Sequence, residues 1–66
     1  MTMNQSSQKD VLYEVVEGPQ GRAEVYEVQE SRSSIIYEVR FGGETQRFDS
    51  IGEAYIEAGM KAGKHV

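Results

Sequence analysis

The stretch IIYEVRFGGETQRFDS, Ile35 to Ser50, reads as a strand, a tight turn, a second strand and the entry to a helix. Successive side chains of an extended chain point to opposite faces. Ile35, Tyr37, Val39 and Phe41 therefore share one face, and Ile36, Glu38 and Arg40 the other. Gly42-Gly43 supplies two residues free to take positive φ, as two-residue hairpin turns require. Charge selects the register. With Gly42-Gly43 as the loop, Glu38 faces Arg47, Tyr37 faces Phe48 and Arg40 faces Thr45. Moving the loop to Gly43-Glu44 sets Arg40 against Arg47 and Glu38 against Asp49. Such like-charge and aromatic pairs are each worth up to about 1 kcal/mol, so the first register is expected.

Toward the C-terminus, Ser50 and Glu53 have capping-box spacing, with Asp49 as the alternative cap. The spacing predicts a helix from about Ile51 to Ala62, stopped at Gly63, with Lys61 and Lys64 near the negative end of its dipole. Ile51, Ala54, Tyr55, Ala58 and Ala62 form one stripe on it, suited to covering a sheet.

Toward the N-terminus the phrase Tyr-Glu-Val recurs at Tyr13, Tyr26 and Tyr37, each time after an aliphatic residue. Equal parity would place the three Tyr and three Val under the helix and Glu14, Glu27 and Glu38 on the other face. Val11–Val16 and Ala23–Val28 are predicted strands joined by a reverse turn at Gly18-Pro19-Gln20-Gly21. Residues 29–34, QESRSS, read as a six-residue polar connection. Residues 1–10, MTMNQSSQKD, read as a disordered leader. The expectation is an α+β fold, a small antiparallel meander of three to four strands with one C-terminal helix packed on one face. A single ββββα domain fills residues 11–66.

Sixty-six residues build one small core, and at this size burial and chain entropy nearly cancel. The chain has no cysteine and one histidine, His65, next to the C-terminus, which removes disulfides and common zinc sites. Association with another chain is the stabilising option left. A net charge of -4 disfavours general affinity for phosphate backbones. No run is long and apolar enough to cross a membrane, and a cytoplasmic location is expected.

Two features exceed the needs of the fold. The face assigned to Glu14, Glu27 and Glu38 also carries Leu12, Val16, Val25 and Ile36. This mixture is either ordinary surface, partly neutralised by Arg22, Arg40 and Arg47, or a contact surface with a charged rim. On the helix, Gly52, Gly59 and Gly63 cluster around the wheel beside Ile56 and Met60. An interior helical glycine costs about 1 kcal/mol relative to alanine. Either the helix sits tightly on its own sheet beneath Tyr26 or Tyr37, or a second subunit touches Gly59, Ile56 and Met60.

No catalytic, cofactor-binding or metal-binding residues are expected. Glutamates and tyrosines alternating on strands point apart, and carboxylates alone on a flat sheet hold an ion weakly. The strand, glycine turn and Phe48-Asp49-Ser50 helix entry within residues 23–63 resemble, in outline, the small arm-binding domains of phage integrases. That resemblance implies a sheet-type nucleic-acid reader, which would present a basic face, whereas here glutamates alternate with Arg40 and Arg47. The expected function is a non-catalytic protein-interaction module: an accessory subunit, regulator or inhibitor. It is expected to form a homodimer and to dock through Glu14, Glu27, Glu38, Leu12, Ile36, Ile56 and Met60. A basic or nucleic-acid-binding protein fits the charge of such a surface.

Overall fold

The computed structural model describes residues 10–64. Strands β1 (Asp10–Gly18), β2 (Gly21–Ser31), β3 (Ser34–Phe41) and β4 (Glu44–Phe48) are followed by helix α1 (Ile51–Ala62). The four strands form one antiparallel sheet in the order β1-β2-β3-β4, with α1 on one face. This is the expected meander with a C-terminal helix. The leader read at residues 1–10 lies outside the described residues except for Asp10, which begins β1; His65 also lies outside them.

The turns follow their sequence chemistry. Gly42 and Gly43 take φ of 59° and 85°, and Tyr37–Phe48, Glu38–Arg47 and Arg40–Thr45 are cross-strand pairs, the register that charge selects. Gly18 pairs with Gly21 around Pro19-Gln20. The Ser50 side chain caps α1 by accepting the Glu53 N–H at 3.2 Å. At the other end Gly63 is left-handed (φ 80°), and the N–H groups of Gly63 and Lys64 donate to the Met60 and Gly59 carbonyls, a Schellman closure.

The β2–β3 connection differs from its sequence reading. The strands continue through the polar segment and leave only Arg32-Ser33 as the turn, with Ser31 opposite Ser34 and an irregularity between Gln29 and Ser31. The Gln29 side-chain amide donates to the Ser31 and Arg32 carbonyls and ties the hairpin end together. This turn fixes a register in which Val25 faces Val39 and Tyr26 faces Glu38. Directly opposed residues share a face, so Ala23, Val25 and Glu27 lie on the helix side, and Tyr26 and Val28 on the other. A bulge between Leu12 and Glu14 reverses parity within β1 as well: Glu14 and Val16 join the helix side and Val15 leaves it. The expected common face for the three Tyr-Glu-Val copies therefore holds for β3 and fails for β2.

Volume explains the outcome. The helix meets the sheet through Ala54, Ala58 and Ala62, all fully buried, over Ala23, Val25 and Val39, with Val16, Tyr37, Phe41, Phe48 and Ile51 around them. An alanine-lined helix packs close to the sheet, leaving room for a valine and none for the ring of Tyr26. Gly18 belongs to the same approach, since a Cβ there would lie 2.5 Å from the Ala62 carbonyl oxygen. The 12-residue helix, about 18 Å long, covers only part of an 11-residue strand of about 35 Å.

The helical glycines differ in their surroundings. A Cβ at Gly63 would meet the Gln20 side chain at 2.5 Å, in a backbone that already disfavours L side chains. A Cβ at Gly59 would find only ordinary contact with the Lys64 carbonyl at 3.6 Å, and at Gly52 nothing nearer than the Ser50 hydroxyl at 4.0 Å. Tight seating on the sheet is thus the work of the alanines, not of Gly52 or Gly59. Gly63→Ala is expected to destabilise the fold by more than 1 kcal/mol, and Gly59→Ala to stabilise it by about 0.5–1 kcal/mol. Urea unfolding of the two variants checks both signs.

Candidate interaction surface

The expected site residues separate into three places. Glu38 lies on the face away from the helix and is only 6% exposed. Its carboxylate is held by two arginines. Arg40 Nη2 donates to Oε1 at 2.8 Å, and Arg47 Nε to Oε2 at 3.1 Å. Arg40 also stacks 3.9 Å above the Tyr26 ring and donates to Asp10 at 2.8 Å; Arg47 lies 3.8 Å from Glu30. The Tyr26 hydroxyl donates to Glu24, which pairs in turn with Arg22. The Arg40 guanidinium is held above its ordinary pKa, chiefly by the hydrogen bond to Glu38. On this face Arg22, Arg40 and Arg47 each meet a carboxylate, in a network that crosses all four strands. Ile36 and its partner Val28 are buried on this face, and Leu12, opposite Tyr26, is exposed.

Glu14 and Glu27 stand on the helix-bearing face, Glu14 opposite Val25 and Glu27 between Val11 and Tyr37. The expected alignment of Glu14, Glu27 and Glu38 as one acidic face is therefore corrected: Glu38 is on the other side of the sheet and neutralised. The cause is the even pairing of β2 with β3 and the bulge in β1.

Ile56 and Met60 project from the outer side of α1 and are 66% and 65% exposed. They do not stand alone. The Tyr55 ring lies 6.4 Å, edge-on, from that of Tyr13, which in turn lies 6.2 Å from Tyr37. Tyr13 and Tyr55 are 49% and 39% exposed, and Val11 next to Tyr13 is more than half exposed. The sequence reading assigned both tyrosines to the core. The signal available was size: a stripe whose other members are mostly alanines leaves no depth for a tyrosine.

Helical spacing joins these residues into one surface. Around the 3.6-residue turn, Tyr55, Gly59, Gly52, Ile56 and Met60 follow one another without a charged residue. Glu53, Glu57 and Lys61 occupy the remaining arc, with Lys61 3.8 Å from Glu57. The apolar part of the helix thus runs from its buried alanines across to its solvent side, next to Tyr13 on β1. The Tyr55 phenol is held above the usual tyrosine range, first by desolvation and next by the charge of the Glu14 carboxylate.

Two measurements test this geometry. Glu38→Ala leaves two arginines facing each other and is expected to cost about 1–2 kcal/mol in urea unfolding, both guanidinium groups staying within reach of water. A raised folded pKa at Tyr55 means stability that is complete below the unfolded tyrosine value, about 10, and lost as pH climbs through the folded value. Tyr55→Phe is expected to lose less stability than the parent chain as pH rises above about 9; identical alkaline profiles would contradict the raised Tyr55 value. Compared with known proteins, the chain matches no family model, no curated protein and no solved structure.

Proposed function

We propose that this chain is a non-catalytic protein-interaction module that binds protein, a second copy included, through the apolar surface of Tyr13, Tyr55, Ile56 and Met60. One observation carries the reading: the helix–sheet core is filled with alanines and valines, while several larger apolar side chains stand outside. The largest fully buried side chains are Val25 and Val39, while Val11, Leu12, Tyr13, Ile35, Tyr55, Ile56 and Met60 are exposed. A chain of this size without disulfides leaves such groups in water at a cost in both stability and solubility, unless a partner covers them.

The acidic-docking form of this reading keeps Glu14 and Glu27, which rim the apolar surface, and loses Glu38. A nucleic-acid reading draws no support from the sheet, whose arginines on the face away from the helix are each matched to a carboxylate.

The test compares the parent chain with Ile56→Glu/Met60→Glu and with Glu14→Lys/Glu27→Lys, by sedimentation at several concentrations and by affinity capture from the cell that makes it. Ile56, Met60 and Glu14 are exposed and Glu27 is half-buried, so both double variants are expected to fold. The first should lose association and partner retention at least tenfold, the second at most a few-fold. If the parent is monomeric at high micromolar concentration and retains nothing that the Ile56/Met60 variant fails to retain, the interaction reading is wrong.

A further inference from the structure

We propose a second contact, beyond the Ile56/Met60 reading and separate from it: two copies of this chain join edge to edge through β1, antiparallel, with a two-fold axis between Tyr13 and Glu14. Across that axis Tyr13 pairs with Glu14, Leu12 with Val15, Val11 with Val16 and Asp10 with Glu17.

β1 is an outer strand, and no other described strand pairs with its free side. Natural sheets commonly guard such edges by shortness, lysine or proline. β4, the other edge, has five residues, and its Arg47 is held by Glu38. β1 has nine residues and no lysine, arginine or proline, and Val11, Leu12 and Tyr13 are exposed in succession. Its one guard is the bulge at Tyr13.

That bulge makes the edge complementary to itself. Opposed residues of an antiparallel pair share a face. Asp10, Leu12, Val15 and Glu17 oppose Val28, Tyr26, Glu24 and Arg22 and lie away from the helix. Val11, Glu14 and Val16 oppose Glu27, Val25 and Ala23 on the helix side, where the Tyr13 ring stands by Tyr37 and Tyr55. Every pair across the axis therefore joins residues of one face. Backbone direction sorts the same way, because successive residues turn their N–H and C=O groups to alternate edges. The first four residues oppose even-numbered positions of β2 and the others odd-numbered ones. Whichever set points outward meets its own set in the second copy. A regular strand could not pair about an axis between two neighbours, since neighbours point opposite ways. The extra residue at Tyr13 allows it.

Coverage and charge agree with the pairing. The C-terminal end of α1 lies over the Gly18 end of β1, where Gly18 abuts Ala62, while Val11 at the other end is bare. Antiparallel joining sets each bare end beside the partner's covered end and keeps the two helices at opposite ends of the joined strands. Val11 and Leu12 each gain an aliphatic neighbour, Val16 and Val15. Glu17 comes level with the partner's Asp10, whose carboxylate Arg40 already holds at 2.8 Å. Glu14 comes level with a tyrosine, not with another carboxylate. Residues 10–17 make an edge about 27 Å long that buries roughly 400 Å² per copy, half of the standard 800 Å² or so. The contact is accordingly weak, with a dissociation constant in the high micromolar to millimolar range.

The absence of native cysteine makes the register directly testable. Leu12→Cys and Val15→Cys change side chains on the face away from the helix. In the joined edge, position 12 of one copy opposes position 15 of the other at about 5 Å between Cα atoms, within disulfide reach. Position 12 lies about 10 Å from position 12 of the second copy, and 15 from 15 likewise, beyond that reach. Mixing the two variants under mild oxidation should therefore give several-fold more 12–15 heterodimer than either variant gives of its own homodimer. Equal yields, or no linked species, overturn the pairing. The parent chain supplies a measurement that needs no variant: from micromolar to millimolar concentration, amide NMR shifts and hydrogen-exchange protection should change along Asp10–Glu17. An unchanged β1 overturns the contact. Placing Ile56→Glu/Met60→Glu in both cysteine chains should leave the heterodimer yield as it was, and its loss there would overturn the separateness of the two contacts. A parent chain still monomeric at high micromolar concentration counts against the Ile56/Met60 reading alone, so the two failures are told apart.

Discussion

Val25 and Val39 face each other on the two central strands, and the placement of almost every other side chain follows from that pairing. Once both valines point at the helix, Ala23, Tyr37 and Phe41 must do the same, and Tyr26, Glu38 and Arg40 must point away. The alanines of α1 complete the condition from above. Ala54, Ala58 and Ala62 bring the helix axis close to the sheet, which suits valines and excludes rings from the centre. The aromatic residues are displaced to the periphery, where Tyr37, Phe41 and Phe48 are half covered and Tyr13 and Tyr55 remain exposed. The apolar surface is thus a consequence of how the core is filled.

The face away from the helix solves a different problem. It carries Glu38 deep between Tyr26 and two arginines, and a carboxylate so little exposed needs its lone pairs occupied. Arg40 and Arg47 do this from opposite sides, and Asp10 and Glu30 engage their other donors. The network touches β1, β2, β3 and β4, so a one-residue slip at any of the three ladders would strand a charge. Its net worth in free energy is modest, because both guanidinium groups stay partly solvated. Its effect on register is larger, since slipped pairings lose hydrogen bonds as well as packing.

Where a feature rests on local chemistry, the sequence was sufficient. The Gly42-Gly43 turn, the Pro19-Gln20 turn, the Ser50 cap, the Gly63 stop and the β3–β4 register each depend on residues within a few positions of one another. Face assignment in β1 and β2 depends on something less local. The three Tyr-Glu-Val copies look equivalent, and only the exact count of residues through QESRSS and the bulge near Tyr13 decides which copy turns its tyrosine to the helix. A polar segment outside the core carries no hydrophobic alternation to reveal that its backbone stays in the ladder. Ile56 and Met60 were readable as the far shoulder of the helix from spacing alone. Their continuity with Tyr13 was not, because it runs through a tertiary contact between β1 and α1.

The composition of α1 exceeds what covering a sheet requires. A helix serving only to cap a sheet needs one apolar stripe, and its remaining surface is best filled with lysine, glutamate or arginine, which keep propensity and solubility high. Here charge is confined to Glu53, Glu57 and Lys61, while Gly52, Ile56, Gly59 and Met60 occupy positions where the sheet makes no demand. Gly59 alone gives up about 1 kcal/mol of a stability that a core of alanines and valines keeps small. The proposed interaction surface gives Ile56 and Met60 a use that the sheet does not, since a partner covering them would remove both from water.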